Sequence, residues 1–332
     1  MEPKSINIGK RIVGTVAIPL LALVITALLC GFSGVRLFDS TGNWIAFFRA
    51  TTSVMLTTFA LSINLNSGRF DFSIGAVSLL SSVISSTVCI NMGLGAIPMI
   101  IISILCGMIL GVISGLIYIL TKLPPIIVSL GVTLLFEGVA FALTGGYGVS
   151  FVTNVELTSF PSVINYIVII AIALVVVVFV FDYTKFGYEY KALMTGQKVS
   201  VNTGIKEIKN TVGCYMIAGG LMGIVGFISS TNTGTIQMAL SFGSIGVMFT
   251  AFLPMFIGGF IGRFCSEKVG YLLGAMTTAF ISLMYARLKM DSSLQQIVTA
   301  VVLVVFLIYL NNEGRLKDLF KKRGQEIREV SD

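Results

Sequence analysis

Two carboxylates stand out for where they sit in an otherwise apolar chain. Asp71 lies in Leu65-Asn66-Ser67-Gly68-Arg69-Phe70-Asp71-Phe72-Ser73-Ile74-Gly75, and Glu137 in Leu134-Leu135-Phe136-Glu137-Gly138-Val139. A carboxylate in apolar surroundings is costly, so it is either paired for structure or placed to handle a solute or a proton. Asp71 can cap a helix that begins near Ser73, since a side-chain oxygen and a negative charge both suit a helix N-terminus. Gly68 and Gly75 permit backbone shapes that a helix does not need. A tight turn with ordinary interfacial charges fits this stretch. So does a broken segment that enters a membrane, where irregular backbone is tolerated only if protein or water satisfies it.

A third segment, Thr184 to Ile205, carries Lys, Tyr and Glu at helical spacing. A short apolar set (Ala192, Leu193, Val199, Val201) falls between Gly187, Gly196 and Gly204. It reads as one or two short helices lying on a membrane face, either as a plain interfacial element or as a docking element for a soluble partner. Other chemistry is scarce. The chain has no histidine, which removes the commonest metal ligand and the usual general base. Its five cysteines are scattered without a CxxC spacing and read as small apolar packing residues. Leu28 and Leu29 precede Cys30 where a lipoprotein signal requires small residues, so lipidation is not expected.

The elements that must position these residues are membrane spans. Hydrophobic types make up 55% of the 332 residues and charged types 11%, with a mean hydropathy of +0.96. A spanning helix needs about 20 consecutive apolar residues. Ten such runs are found, at 12–31, 44–66, 72–90, 96–120, 125–145, 163–182, 211–230, 245–262, 269–286 and 294–311. The fold class expected is an all-α polytopic membrane protein, with residues 1–311 as one transmembrane domain and 312–332 as a basic tail. The polar, basic start leads into an apolar run too long for a signal peptide, which suits a first span. No connection is long enough for a soluble catalytic domain.

Charge sets the orientation. With the N-terminus in the cytoplasm, all Lys and Arg except Arg36, Arg49, Arg287 and Lys289 fall on the inner side, which is 18 of 22. That is the positive-inside pattern, and it places both termini in the cytoplasm. The net charge of +7 is then explained by orientation and anionic lipid, with no nucleic-acid partner required. Gly107-Gly111-Gly115, Gly219-Gly223 and Gly270-Gly274 repeat every four residues and mark close helix contacts. Ser73-Ile74-Gly75 opens the third span and Ser244-Ile245-Gly246 the eighth. An offset of five spans inverts the second half relative to the first, as in transporters built from inverted repeats.

Taken together, residues 45–310 resemble the permease subunits of bacterial ATP-binding cassette importers of the ribose and simple-sugar type, relatives of the branched-chain amino acid permeases. That family carries Gly-Gly-Ile-Asp-Leu-Ser-Val-Gly after its second span, and Gly68 to Gly75 is similar to it. Phe186-Gly187, Ala192 and Gly204-Ile205 match its cytoplasmic motif, with Thr195 and Gln197 departing from it. Leu294-Gln295-Gln296-Ile297-Val298 resembles the sugar permeases' Trp-Gln-Gln-Ile-Val. Only Gly258-Gly259 keeps the late glycine-rich motif, and Glu137 stands where sugar permeases often have a basic residue.

The resemblance implies a non-enzymatic transport subunit in the cell membrane that binds no cofactor itself, ATP being hydrolysed on a partner. It implies a cytoplasmic cassette ATPase, an extracytoplasmic substrate-binding protein and a second permease, identical or related. Residues 184–205 would be the coupling segment, with Phe186, Gly187, Tyr188, Glu189, Tyr190, Lys191, Leu193 and Gly204 meeting the ATPase. A weakly polar pathway would be lined by Asn64, Asn66, Asp71, Ser73, Gln295 and Gln296, with Glu137 a further candidate. The substrate implied is a ribose-like sugar. Nucleosides and branched-chain amino acids remain alternatives, as does an ion-driven secondary transporter using Glu137. A membrane-embedded enzyme finds no support in paired carboxylates at helical spacing.

Overall fold

The computed structural model describes the backbone of residues 8–331 and the side chains of residue 9 and of residues 11–312. Lys4, the Lys10 side chain and the basic side chains of the tail lie outside that set. Five helices come first: α1 (Ile8–Phe32), α2 (Thr41–Asn66), α3 (Ile74–Met92), α4 (Ala96–Thr121) and α5 (Pro125–Thr144). A short strand β1 (Val149–Ser150) and a single turn α6 (Val155–Thr158) lead to α7 (Val163–Val178), which runs into a π-helical turn at Phe179–Tyr183. Then come α8 (Lys185–Thr195), α9 (Gln197–Asn202) and the long α10 (Glu207–Thr233). Strand β2 (Thr235–Ile236) and a 3-10 turn (Gly243–Ile245) precede α11 (Gly246–Phe249), α12 (Phe252–Ile261), α13 (Glu267–Arg287) and α14 (Ser292–Ser331).

Among the described residues, ten helical runs are long and apolar enough to cross a membrane, from Arg11–Phe32 to Ser292–Asn312. The chain is therefore an all-α polytopic membrane protein. The observed runs begin and end within four residues of the spans read from the sequence. Leu20 on α1, Ile97 on α4 and Val175 on α7 are among many apolar side chains that stay exposed. In a bilayer such surfaces are solvated by lipid, so they carry no penalty.

The chain divides into two compact units, Met1–Met284 and Tyr285–Asp332. In the second, Met290 N donates to Tyr285 O at 3.0 Å, and Tyr285 and Thr299 share a hydroxyl contact at 3.3 Å.

The first unit is organised around α10, whose inner face is almost wholly buried. Lipid provides no hydrophobic drive between helices, so close backbone approach must supply the attraction. The glycine stripes provide it. A Cβ on Gly107 would land on the carbonyl oxygen of Gly219, and one on Gly219 would land on that of Gly107. Ser103 Oγ adds a 2.7 Å hydrogen bond to Gly223 O. Gly270 and Gly274 of α13 approach Gly258 and Pro254 of α12 in the same manner. Gly219→Val should therefore separate α4 from α10 and cost about 1–3 kcal/mol from overpacking. Thermal unfolding in detergent reads this as a lowered midpoint; an unchanged midpoint would mean that the two helices are not in register at this glycine.

The connections also pair. β1 and β2 run antiparallel, with Val149 opposite Ile236 and Ser150 opposite Thr235. Phe151 N donates to Gly234 O at 2.8 Å. The segments after α5 and after α10 lie two crossings apart, hence on one face of the membrane. α8 and α9 follow α7 and lie on the other.

Candidate functional site

The turn between α2 and α3 is held together by Asp71. It accepts from Asn64 Nδ2 at 3.1 Å, from Ser73 N at 2.9 Å and from Ser73 Oγ at 2.6 Å. Bonding to the amide two residues on closes the turn ahead of α3 and compensates the carboxylate for its loss of water, but it is not the helix cap expected of Asp71, since α3 has no side-chain cap. Asn64, Arg69, Asp71 and Ser73 are all buried. Arg69 donates to Thr211 Oγ1 on α10. Gly68, at φ +76, makes the reversal that lets the chain turn in this way. Sequence spacing brought Asp71 and Ser73 together; the part of Asn64 as second partner came from the fold.

Glu137 does for the second half what Asp71 does for the first. Its Oε1 accepts from Ser244 N at 2.8 Å and Ser244 Oγ at 2.5 Å, and its Oε2 accepts from Phe242 N at 3.0 Å. Ser241 and Phe242 take φ of +55° and +69°, and the turn they make brings the amides of Phe242 and Ser244 to one carboxylate while the Gly243 amide between them bonds to Leu240 O. In the repeat alignment Phe242 occupies the position of Asp71, so the second Ser-Ile-Gly opening lacks a carboxylate of its own. α5 supplies one instead.

The two openings touch. A Cβ on Gly75 would fall on the carbonyl oxygen of Ser244. The turn 67–73 follows the second crossing and the segment 234–242 follows the seventh, so the two start from opposite faces of the membrane. They can meet only if at least one of them enters the layer. Both are irregular segments whose donors are satisfied by protein carboxylates, as burial away from water requires. Beside their meeting point lies a cavity of about 460 Å³.

A second constellation sits at the face carrying α8. Asp182, in the π-helical turn, accepts from Lys191 Nζ at 2.6 Å and Lys268 Nζ at 2.7 Å, tying α8 to the ends of α7 and α13. Tyr190 is buried and its hydroxyl donates to Ile63 O on α2 at 2.9 Å. Burial pushes the Tyr190 phenol well above its ordinary value, so it stays a donor. Glu267 accepts from Tyr271 at 2.5 Å and from Asn66 at 3.3 Å. Gly187 packs so tightly that a Cβ would strike the Phe181 backbone. Phe186 O accepts from Asn210 Nδ2 at 3.1 Å.

The structure divides the residues of this segment by face. Gly187, Tyr190 and Leu193 point inward and are buried by the protein's own helices. Phe186 and Glu189 are intermediate. Tyr188, Lys191 and Gly204 are exposed, and with Met194, Val199, Val201 and Ile208 they form the outer surface. Asp182 and Lys268 were not legible, because their pairing depends on helices far apart in the chain. Gln295 and Gln296 belong to the second unit, at the start of α14, where Gln295 Nε2 donates to Met290 O at 2.8 Å.

A family model described as "Branched-chain amino acid transport system / permease component" covers residues 45–310. No curated protein and no solved structure matches the chain.

Proposed function

The chain belongs to the family of branched-chain amino acid transport system permease components, and we propose that within it this protein imports a simple, ribose-like sugar. As a member it is a membrane-spanning permease subunit of an ATP-binding cassette importer, working with ATPase and permease partners. In our reading ATP is bound and hydrolysed on a cytoplasmic ATPase, and a substrate-binding protein delivers the solute from outside. Both termini are cytoplasmic in this reading, and α8 and α9 face the ATPase. Tyr188, Met194 and Val199 present the surface that fills its groove, while Phe186, Gly187, Tyr190 and Leu193 join that surface to the spans.

The observation that carries the reading is a contiguous linkage from α8 to the meeting point inside the membrane. Tyr190 bonds to Ile63 O at the last turn of α2. Asn64, the next residue, bonds to Asp71, and Asp71 holds Ser73. Gly75 rests on Ser244, which Glu137 fixes. A displacement of α8 by the ATPase is thereby delivered to both irregular segments, which is what alternating access requires. On this account Asn64, Asp71, Ser73 and Glu137 shape the pathway by positioning its two broken segments.

The test is gentle purification of the tagged chain from its native membrane, with mass spectrometry of what accompanies it. A cassette ATPase in stoichiometric amount is expected. A folded protein that is reproducibly alone would overturn the reading and favour an ion-driven transporter.

A further inference from the structure

The cavity of about 460 Å³ beside the meeting point falls within the roughly 300–1,000 Å³ typical of small-molecule sites. It is built wholly within the first compact unit, from α3, the end of α10 and residues 235–247. Its polar side chains are all hydroxyl or amide, Ser78, Ser229, Thr233, Thr235, Gln237 and Ser244 among them. No Asp, Glu, Lys or Arg lines it. Leu79, Ile236 and Val247 supply apolar surface between these groups. The side chains of Ser78, Ser229 and Gln237 have no protein hydrogen-bond partner among the described residues.

The electrostatics at its edge decide what it can take. Broken membrane helices usually hold an anionic substrate group on the positive N-terminal end of a half-helix. Two helix starts reach this cavity, at Gly75 and at Gly243–Ser244. Both carry a protein carboxylate. Asp71 bonds the amide of Ser73, just ahead of α3, and Glu137 takes those of Phe242 and Ser244. A substrate carboxylate entering here would meet two protein carboxylates beside these helix starts. A zwitterion would leave its negative end unpaired, at the cost of desolvating a charge. A neutral polyol meets hydroxyl partners for its hydroxyls and apolar surface for its C–H faces.

We propose that this cavity, inside a single permease chain, is a holding site for a neutral, hydroxyl-rich solute on its way through the membrane. Thr233, Thr235 and Gln237 of its lining lie at and just beyond the end of α10, the end that leads to the face opposite α8. The inference rests on the importer reading above and adds to it a location and a physical ground for its solute class.

The experiment uses the complete importer isolated with its partners and reconstituted in proteoliposomes, with ribose, uridine and leucine as probes. Ser229 and Thr233 are both exposed, so Ser229→Trp and Thr233→Trp fill the cavity without disturbing the core. The wild type should take up ribose or uridine with ATP and should not take up leucine. Each tryptophan variant should lower that uptake at least tenfold, while ATP hydrolysis stimulated by the loaded binding protein stays within twofold. Two independent variants guard against the misfolding of one. Unchanged uptake in a folded tryptophan variant would overturn the site. ATP-driven leucine uptake by the wild type would overturn the solute class and leave the importer reading intact. A wild type with no ATP-driven uptake of any probe would overturn the importer reading, and this inference with it.

Discussion

Glu137→Ala is expected to lower the unfolding midpoint of the purified protein and to reduce uptake at least tenfold, with the chain still inserted in the membrane. The carboxylate is the sole acceptor observed for Phe242 N, Ser244 N and Ser244 Oγ, and it is buried. Leaving a buried donor unsatisfied costs about 1–3 kcal/mol. Three orphaned donors therefore cost on the order of 3 kcal/mol or more. The loss also releases Ser241 and Phe242 from left-handed conformations that cost about 1–2 kcal/mol per residue. The segment would then relax away from Gly75. Glu137→Gln keeps one carbonyl oxygen and should fall between alanine and the wild type. Its residual uptake should not change when the proton gradient is dissipated at constant ATP. A collapse of uptake under that treatment would identify Glu137 as an ion-coupling group instead.

Gly187→Ala should separate ATP hydrolysis from uptake. The new methyl would strike the Phe181 carbonyl, carbonyl carbon and Cα, all backbone atoms that cannot swing aside. α8 must then move off the π-helical turn, which strains the Asp182 bonds to Lys191 and Lys268 and the Tyr190 bond to Ile63. ATP hydrolysis should persist, and uptake per ATP should fall by a factor of ten or more. Glu189→Gln makes a useful contrast. Glu189 pairs with Lys185 at 3.8 Å, and the lysine side chain is 90% exposed. Such a pair contributes at most about 0.5 kcal/mol, so its loss should leave stability unchanged. A Glu189→Gln effect on uptake would then report contact with the ATPase. Normal uptake per ATP in Gly187→Ala would show that α8 does not carry the coupling.

Much of this architecture was legible in the sequence, for physical reasons. A bilayer imposes span length and forbids open backbone, so ten apolar runs of about the right length leave few alternatives. The glycine spacing of α4, α10 and α13 announced close packing because only a missing side chain allows helix backbones to touch. The Asp71–Ser73 contact was readable because its partners are two residues apart, but it closes the turn ahead of Ile74 and does not cap α3 as the sequence suggested. What could not be read is long-range. Glu137 and Ser244 are 107 residues apart, and nothing in either neighbourhood names the other. The one hint is that Phe242 stands two residues before the second Ser-Ile-Gly, where the first has Asp71. The serines of α3, at 78, 81, 82, 85 and 86, form an unusually hydroxyl-rich face for a membrane helix. That face is the one sequence signal of the polar cavity, and it carries neither the charge nor the amides that mark the other candidate residues. The inward turn of Tyr190 and Leu193 was likewise hidden. Spacing on α8 defines two faces but not which one meets the protein.

The turn 67–73 and the segment 234–242 also show why depth escaped a reading by hydropathy. Each is short and polar enough to pass for a surface loop. Their contact through Gly75 and Ser244 requires at least one of them to enter the layer, and it is visible only once the two halves are folded together.

The central claim is that ATP, acting through α8, drives solute past the two meeting segments. Its most direct test is uptake into proteoliposomes carrying the purified importer, with ATP inside or outside the bilayer as orientation requires and the proton and sodium gradients abolished by ionophores. The account predicts uptake that continues without ion gradients and stops when ATP is replaced by a non-hydrolysable analogue. Uptake that survives the analogue and vanishes with the ionophores would contradict it.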